Sequence, residues 1–351
     1  MKIRIDNKEV EAENGMTVLD AARKAGICIP TLCHRDGTEP YSSCMVCMVR
    51  DKSKNNFIPS CSAAVQDGMD IDASGEEVIR LRKKAVTLLL LEHRAECEAQ
   101  CRAVCPKGYN IPLMNRLLIA GEYDEAAELI RSEMEGGDLN CITCKAFCEN
   151  ACRRKKIDTP LSIRNTRIFI SHNFPMTKKY EVSPLYDKTD LKKKFSSRTG
   201  PVGEIEQNEW LKECPENTTR HREIEDYRSA AEEAASCMRC DCRASADCSL
   251  RMLAGEFELK DPRGKFINAP AEKKINHKTG LIFENAKCIK CGLCVRAVAD
   301  STEEPSLCFI NRGFVSIISE PLGYEFDDIP ASVAGLCVSV CPTGALAFMK
   351  D

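Results

Sequence analysis

Ile29-Pro30-Thr31-Leu32-Cys33, then Ser43-Cys44-Met45-Val46-Cys47, then Ser60-Cys61: this run sets four cysteines at the spacing Cys33-x10-Cys44-x2-Cys47-x13-Cys61. A tight Cys-x2-Cys turn with one distant cysteine on each side brings four soft thiolates to one place, the donor set that iron–sulfur clusters and structural zinc both accept. Cysteine marks the rest of the chain too, with 23 in 351 residues. An odd count is awkward for a disulfide framework and harmless for metal ligands. Residues 1–10 lack the apolar core and small-residue cleavage site of a secretory signal. The expected location is therefore the cytoplasm, where thiols stay reduced and such cysteine usage points to metal. A formal charge of -3 gives no sign of nucleic acid or an anionic membrane as partner. The longest apolar run, 85–91, is interrupted by Thr87 and is far too short for a membrane span.

Outward from that run, Lys2-Ile3-Arg4-Ile5-Asp6 alternates as a strand, Asn7-Lys8 reads as a turn and 9–13 as the returning strand. Thr17 caps a short helix, 18–24, that stops at Gly26. These elements predict a small sheet with one helix across it. Ser74 with Glu77 has the form of a capping box for a helix reaching about His93. Pro112 starts another helix, and 123–134 reads as its amphipathic partner. Residues 172–217 are charged and punctuated by Pro, Gly and Ser, which predicts an arm. A helix over 220–235 leads into a further cysteine group. The expected fold is α+β and multidomain; by resemblance to known iron–sulfur proteins its parts are a β-grasp [2Fe–2S] ferredoxin over 1–75, a helical [4Fe–4S] domain over 76–170, an extended arm over 171–219, a Cys-rich metal motif over 220–279 and a ferredoxin-like domain over 280–351.

The first cysteine group, with Asp67-Gly68-Met69, resembles the N-terminal ferredoxin domain of the large iron–sulfur subunit of bacterial NADH dehydrogenase (complex I) and of NAD-linked hydrogenases. That resemblance implies a [2Fe–2S] cluster on Cys33, Cys44, Cys47 and Cys61. Cys28 lies outside the pattern and is expected to be buried packing.

The second group is Cys97-x3-Cys101-x3-Cys105-Pro106 followed by Cys141-x2-Cys144-x3-Cys148-x3-Cys152. Spacing of x3 places thiolates on one face if the segment is helical. With Ile111-Pro112, Gly121-Glu122-Tyr123-Asp124-Glu125-Ala126 and Pro160-Leu161-Ser162-Ile163, the region resembles the helical [4Fe–4S] domain of the glutamate synthase small subunit and dihydropyrimidine dehydrogenase. The resemblance implies one [4Fe–4S] cluster on Cys105, Cys144, Cys148 and Cys152. A second would use Cys97 and Cys101, with Cys141 and His93 as candidate ligands. Complex I's large iron–sulfur subunit offers a precedent for a histidine ligand ahead of a cysteine, as in His93-Arg94-Ala95-Glu96-Cys97. The plainer alternative for His93 is a cation at a helix C-terminus. In those relatives a flavin fold marked by G-x-G-x-x-G follows; here no such segment occurs, and Gly136-Gly137 is an isolated pair.

Cys237, Cys240, Cys242 and Cys248 form a third group, suited to [4Fe–4S] or to zinc. The fourth, Cys288-x2-Cys291-x2-Cys294 with Cys341-Pro342, resembles a bacterial two-cluster ferredoxin that has lost one cluster. Val298, Ala331 and Ala334 stand where cysteines of the lost site belong, and Cys337 is a leftover of it. The remaining cluster is assigned to Cys288, Cys291, Cys294 and Cys341.

One [2Fe–2S] and three to four [4Fe–4S] clusters, no flavin or nucleotide on the chain and no catalytic motif together imply an electron-transfer subunit of an NAD(P)H-linked oxidoreductase complex. Its expected partners are a flavin- and NAD(P)H-binding subunit and a second redox partner, whether ferredoxin, hydrogenase or another flavoprotein. Two alternatives stand beside it: the iron–sulfur half of a split glutamate-synthase-like enzyme, and a redox-sensing or structural metal protein.

Overall fold

The computed structural model describes residues 1–93, 97–133, 140–173, 203–260, 272–301 and 304–349. They fall into two compact units, each discontinuous in sequence: Met1–Arg94 with Cys248–Pro270 and Lys274–Ala347, and Ala95–Asp247 with Ala271–Lys273 and Phe348–Asp351. The expected segment 1–75 lies wholly in the first unit, while 76–170 and 220–279 are each divided between the two.

In the first unit, β1 (Lys2–Ile5), β2 (Lys8–Glu11), β3 (Met48–Asp51), β4 (Asn56–Pro59) and β5 (Asp70–Asp72) form a mixed sheet in the order β2-β1-β5-β3-β4. β1 runs parallel to β5 and antiparallel to β2. Strand alternation turns Ile3 and Ile5 inward, and the β1–β2 turn is made by Asp6 and Asn7, at φ 46 and 66. The helix Val18–Lys24 buries Val18, Leu19, Ala21 and Ala22 in the same core as Ile3, Ile5, Val49 and Ile71. Thr17 and Asp20 close a capping box at its start. Cys47 and Cys61 belong to this core, so two of the predicted ligands are anchored by apolar packing rather than hung on a free loop.

The long helix is Glu76–Glu92, but the expected Ser74 capping box does not form. Gly75 is the N-cap, and its N–H donates to Asp72 Oδ1 at 2.6 Å, beside a Ser74 N–H donation at 3.2 Å. Asp72, delivered at the end of β5, satisfies those amides first. In the C-terminal part, the helices Leu293–Ala299 and Ala331–Val340 pack on each other. Val298 and Ala334 are buried on them, at the positions read as lost ligands.

The second unit is helical. Asn110 caps the helix Ile111–Ala120, Pro112 sits in its first turn, and Gly121 ends it at φ 78. Tyr123–Ser132, Ile163–Asn173 and Tyr227–Ala235 complete its core around Met114, Leu118, Ile130, Ile170 and Ala234. The helix expected over 220–235 begins only at Tyr227, because Asp226 and Ser229 cap it there. Arg220 instead pairs with Glu233 and the Pro160 carbonyl. Of the expected arm, 174–202 and likewise Gly136-Gly137 lie outside the described residues, and Glu204–Leu211 is a helix.

Candidate metal centres

The first site is built on the loop that enters and leaves the sheet. Ser42 and Met45 take left-handed backbone, at φ 53 and 56, which turns the chain tightly around Cys44 and Cys47. The four thiols meet as two pairs. A hydrogen bond from Cys44 pulls Cys33 down to about 5 against the upward push of burial. Cys47 does the same for Cys61, which falls to about 6 with help from Ser42. The Ser42 hydroxyl lies 3.5 Å from the Cys61 sulfur. Within each pair the other thiol, Cys44 or Cys47, is pushed up, since one proton is shared between two sulfurs. Four buried thiols without a carboxylate among them suit a soft, positively charged core. Cys28, expected in the interior, is exposed.

The second site, also in the first unit, is a cavity onto which Cys288, Cys291, Cys294 and Cys341 open, walled by Phe283, Leu293 and Ile318. Lys290 at φ 52 and Gly292 at φ 71 bend the Cys-x2-Cys-x2-Cys run, and the Lys290 N–H points at the Cys288 sulfur, 3.4 Å away. Burial, and then the neighbouring thiols, push Cys288 and Cys291 up to about 12. Buried thiols held that high become ligands when a cationic core replaces their protons. Cys337 is fully buried and also raised to about 12, chiefly by burial and then by Cys341. It does not line the cavity.

Two further groups lie in the second unit, and they cut across the expected sets. Cys101, Cys152, Cys237 and Cys240 line one cavity with Ile111, Pro112 and Leu161. Burial raises Cys101, and Cys237, Cys240, Cys152 and, from the neighbouring group, Cys148 add to the rise. Cys105, Cys141, Cys144 and Cys148 make the other neighbourhood: Cys105 and Cys141 raise Cys148, whose pKa burial pushes to about 12, and Cys105 and Cys144 raise Cys141. Arg167, 1% exposed and stacked 3.9 Å over the Tyr109 ring, tempers Cys141.

Cys152 thus lines the cavity of Cys101, Cys237 and Cys240, where the sequence-based grouping set it with Cys105, Cys144 and Cys148. The reason is helix length. Phe147–Asn150 ends before Cys152, whose extended backbone (φ -61, ψ 123) carries it to the other group. Gln100–Ala103 is equally short, so Cys97, Cys101 and Cys105 share no helical face. Of the set Cys97, Cys101, Cys141 and His93, Cys101 and Cys141 fall in different neighbourhoods, and His93 belongs to the first unit. Of Cys237, Cys240, Cys242 and Cys248, the first two join Cys101 and Cys152. Cys242 instead donates its N–H to the Cys97 carbonyl at 3.3 Å, and Cys248 lies in the first unit. Arg239, at φ 46 between Cys237 and Cys240, makes the turn that presents both sulfurs.

His93 caps the long helix but is not the cation expected there. Burial first, and then Lys287, lower it to about 4, so it is neutral at pH 7. Its buried Nδ1 has no hydrogen-bond partner, which suits a metal-ligand role. Among the described residues, no three His, Cys, Asp or Glu side chains close around a single ion. Ligands of an iron–sulfide cage stand further apart than those of one ion, because the cage separates them. Sequence reading passed over Arg296, whose only signal is its place two residues after Cys294; its guanidinium donates to the Cys33 carbonyl at 2.8 Å.

Residues 1–76 match the 2Fe-2S iron-sulfur cluster binding domain family, so the N-terminal segment is a [2Fe–2S] domain. The chain is 30% identical over 154 residues to the alpha subunit of the NADPH-Fe(3+) oxidoreductase of Geobacter sulfurreducens, covering 41% of this chain and 18% of that one. It is 31% identical over 121 residues to the gamma subunit of the NAD-reducing hydrogenase HoxS of Cupriavidus necator, covering 32% of this chain and 50% of that one. The chain thus spans less than a fifth of the first relative and half of the second. A crystal structure of an NAD+-reducing [NiFe]-hydrogenase in the H2-reduced state has a similar fold, with a TM-score of 0.51 at 18% identity over 99% of this chain and 86% of that chain. Among the described residues no helix is long and apolar enough to cross a membrane.

Proposed function

We propose that this chain is a cytoplasmic multi-cluster electron relay, the iron–sulfur subunit of an NAD(P)H-linked oxidoreductase complex. A partner flavoprotein takes hydride from the nicotinamide and passes single electrons to this subunit, which hands them to a second redox partner. The observation that carries the reading is the convergence of buried and half-buried thiols in groups of four. We assign a [2Fe–2S] cluster to Cys33, Cys44, Cys47 and Cys61 and [4Fe–4S] clusters to three sets: Cys288, Cys291, Cys294 and Cys341; Cys101, Cys152, Cys237 and Cys240; and Cys105, Cys141, Cys144 and Cys148. Cys97 and Cys242, in the second unit, and Cys248 and His93, in the first, stand outside these sets. Bound clusters supply one-electron chemistry; the chain's own work is to ligate, bury and space them and to bias their potentials through charge and hydrogen bonds.

The test is anaerobic copurification with metal analysis and low-temperature EPR. One [2Fe–2S] and three [4Fe–4S] clusters give about 14 irons per chain, and a fourth cubane about 18. NADH with the copurifying flavoprotein should reduce them. Zinc in place of iron and sulfide would sink the proposal.

A further inference from the structure

Arg296 follows the Cys288–Cys294 ligand run, yet most of its guanidinium contacts lie on the other ligand loop of the same unit. Its Nη2 donates to the Cys33 carbonyl at 2.8 Å and to the Cys291 carbonyl at 3.3 Å, and its Nη1 to the Glu39 carbonyl. Nε returns to the Gly292 carbonyl at 3.3 Å. The guanidinium also lies 5.4 Å from the centre of the Tyr41 ring, and Tyr41 stacks on Phe309 at 5.8 Å. Gly292 is needed beneath this stack, because a Cβ there would stand 3.1 Å from the Phe309 ring.

We propose that Arg296 is a positioning residue that fixes the spacing of the [2Fe–2S] site on Cys33, Cys44, Cys47 and Cys61 from the [4Fe–4S] site on Cys288, Cys291, Cys294 and Cys341, and so couples them for direct electron exchange. This rests on reading both thiol groups as cluster sites. A guanidinium has five donors in a rigid plane, so one side chain satisfies carbonyls of two ligand loops at once and holds their mutual geometry. One nitrogen of the guanidinium, Nη2, reaches both the Cys33 and the Cys291 carbonyl, which places the two ligand loops side by side. With clusters bound at both sites, an electron leaving one would enter the other, and each reduction would add negative charge next to the same cation. Arg296 therefore favours the reduced form of both.

The experiment uses the full chain purified anaerobically with its clusters, comparing Arg296→Gln and Arg296→Lys with the parent. Iron content and EPR-monitored redox titrations are measured, together with the relaxation of the [2Fe–2S] signal when the neighbouring cluster is oxidised or reduced. In Arg296→Gln, both midpoints should move negative and the relaxation enhancement should be lost with iron content unchanged. Arg296→Lys should keep the midpoints closer to the parent's, because the charge remains, while still losing the enhancement, because the planar fork is gone. Unchanged midpoints and relaxation in Arg296→Gln overturn the proposal, and so does loss of iron from Arg296→Lys, which would make the residue part of site assembly. If the parent itself shows no [2Fe–2S] signal, the cluster assignment has failed and the proposal falls with it.

Discussion

Cys152 follows the four-residue helix Phe147–Asn150, and one extended residue is enough to send it away from Cys148 and into the cavity of Cys101, Cys237 and Cys240. On the proposed assignment the two thiols belong to different clusters although only three residues separate them. Cys152→Ser should disturb the EPR signal shared with Cys237→Ser and leave the one shared with Cys105→Ser. If Cys152→Ser and Cys105→Ser instead remove the same signal, the regrouping is wrong. At the other end of the chain, Cys341 opens onto the second-site cavity while Cys337 does not, though both are held by the Ala331–Val340 helix and its end. Cys341→Ser should abolish or alter that cluster's signal; Cys337→Ser should leave it intact. The reverse pattern would contradict the ligand assignment. Short spacings such as Cys288-x2-Cys291-x2-Cys294 are legible in sequence because a few dihedrals decide them. Cys101 with Cys237 is not, since it depends on how helices far apart in the chain pack.

At the scale of elements, the start of the Glu76–Glu92 helix shows how a local rule is overridden. Ser74 and Glu77 have the spacing of a capping box, but β5 presents the Asp72 carboxylate to the amides of Ser74 and Gly75. Asp72→Ala should cost about 1 kcal/mol of stability, as loss of a helix cap does. Gly75→Ala should be destabilising as well, because its Cβ would lie 2.2 Å from Asp72 Oδ2. The double variant should cost less than the two single ones summed, since removing the carboxylate removes the clash. Denaturant unfolding of all three variants decides it, and simple additivity would argue against this account of the cap. The first sheet, by contrast, followed its alternation closely: Ile3, Ile5 and Val10 face inward as the pattern predicts, and only the β1–β2 turn moved by one residue.

At the scale of the molecule, the second unit draws distant segments together through one buried carboxylate. Burial alone would raise Glu213, yet Arg243, Lys273 and Arg239 outweigh it and bring the group to about 2 from an ordinary value of 4.5. Its backbone carbonyl also accepts from Arg239 at 2.9 Å, which ties it to the turn between Cys237 and Cys240. A carboxylate with a depressed folded pKa adds stability that is fully present above its unfolded value and is lost as pH falls through its folded one. The Glu213 contribution should therefore be whole above about pH 4.5 and fade toward about pH 2. Glu213→Gln should cost about 3–5 kcal/mol at neutral pH by leaving buried cations uncompensated. Its deficit against the parent should shrink on acidification across that window, and a deficit that does not change with pH would rule out the ionised carboxylate as its source.

By itself the sequence determined where the [2Fe–2S] domain lies, and it led to the expectation of further thiol-ligated centres, the last on Cys288, Cys291, Cys294 and Cys341. Those are statements about short loops and apolar alternation, which act over a few residues. Only the tertiary structure decided which cysteines of the helical unit stand together, that Cys337 is excluded from the last cavity and that Arg296 bridges two ligand loops. Each of these joins residues far apart in the chain, and their meeting is set by helix length, capping and core packing, which no spacing rule contains.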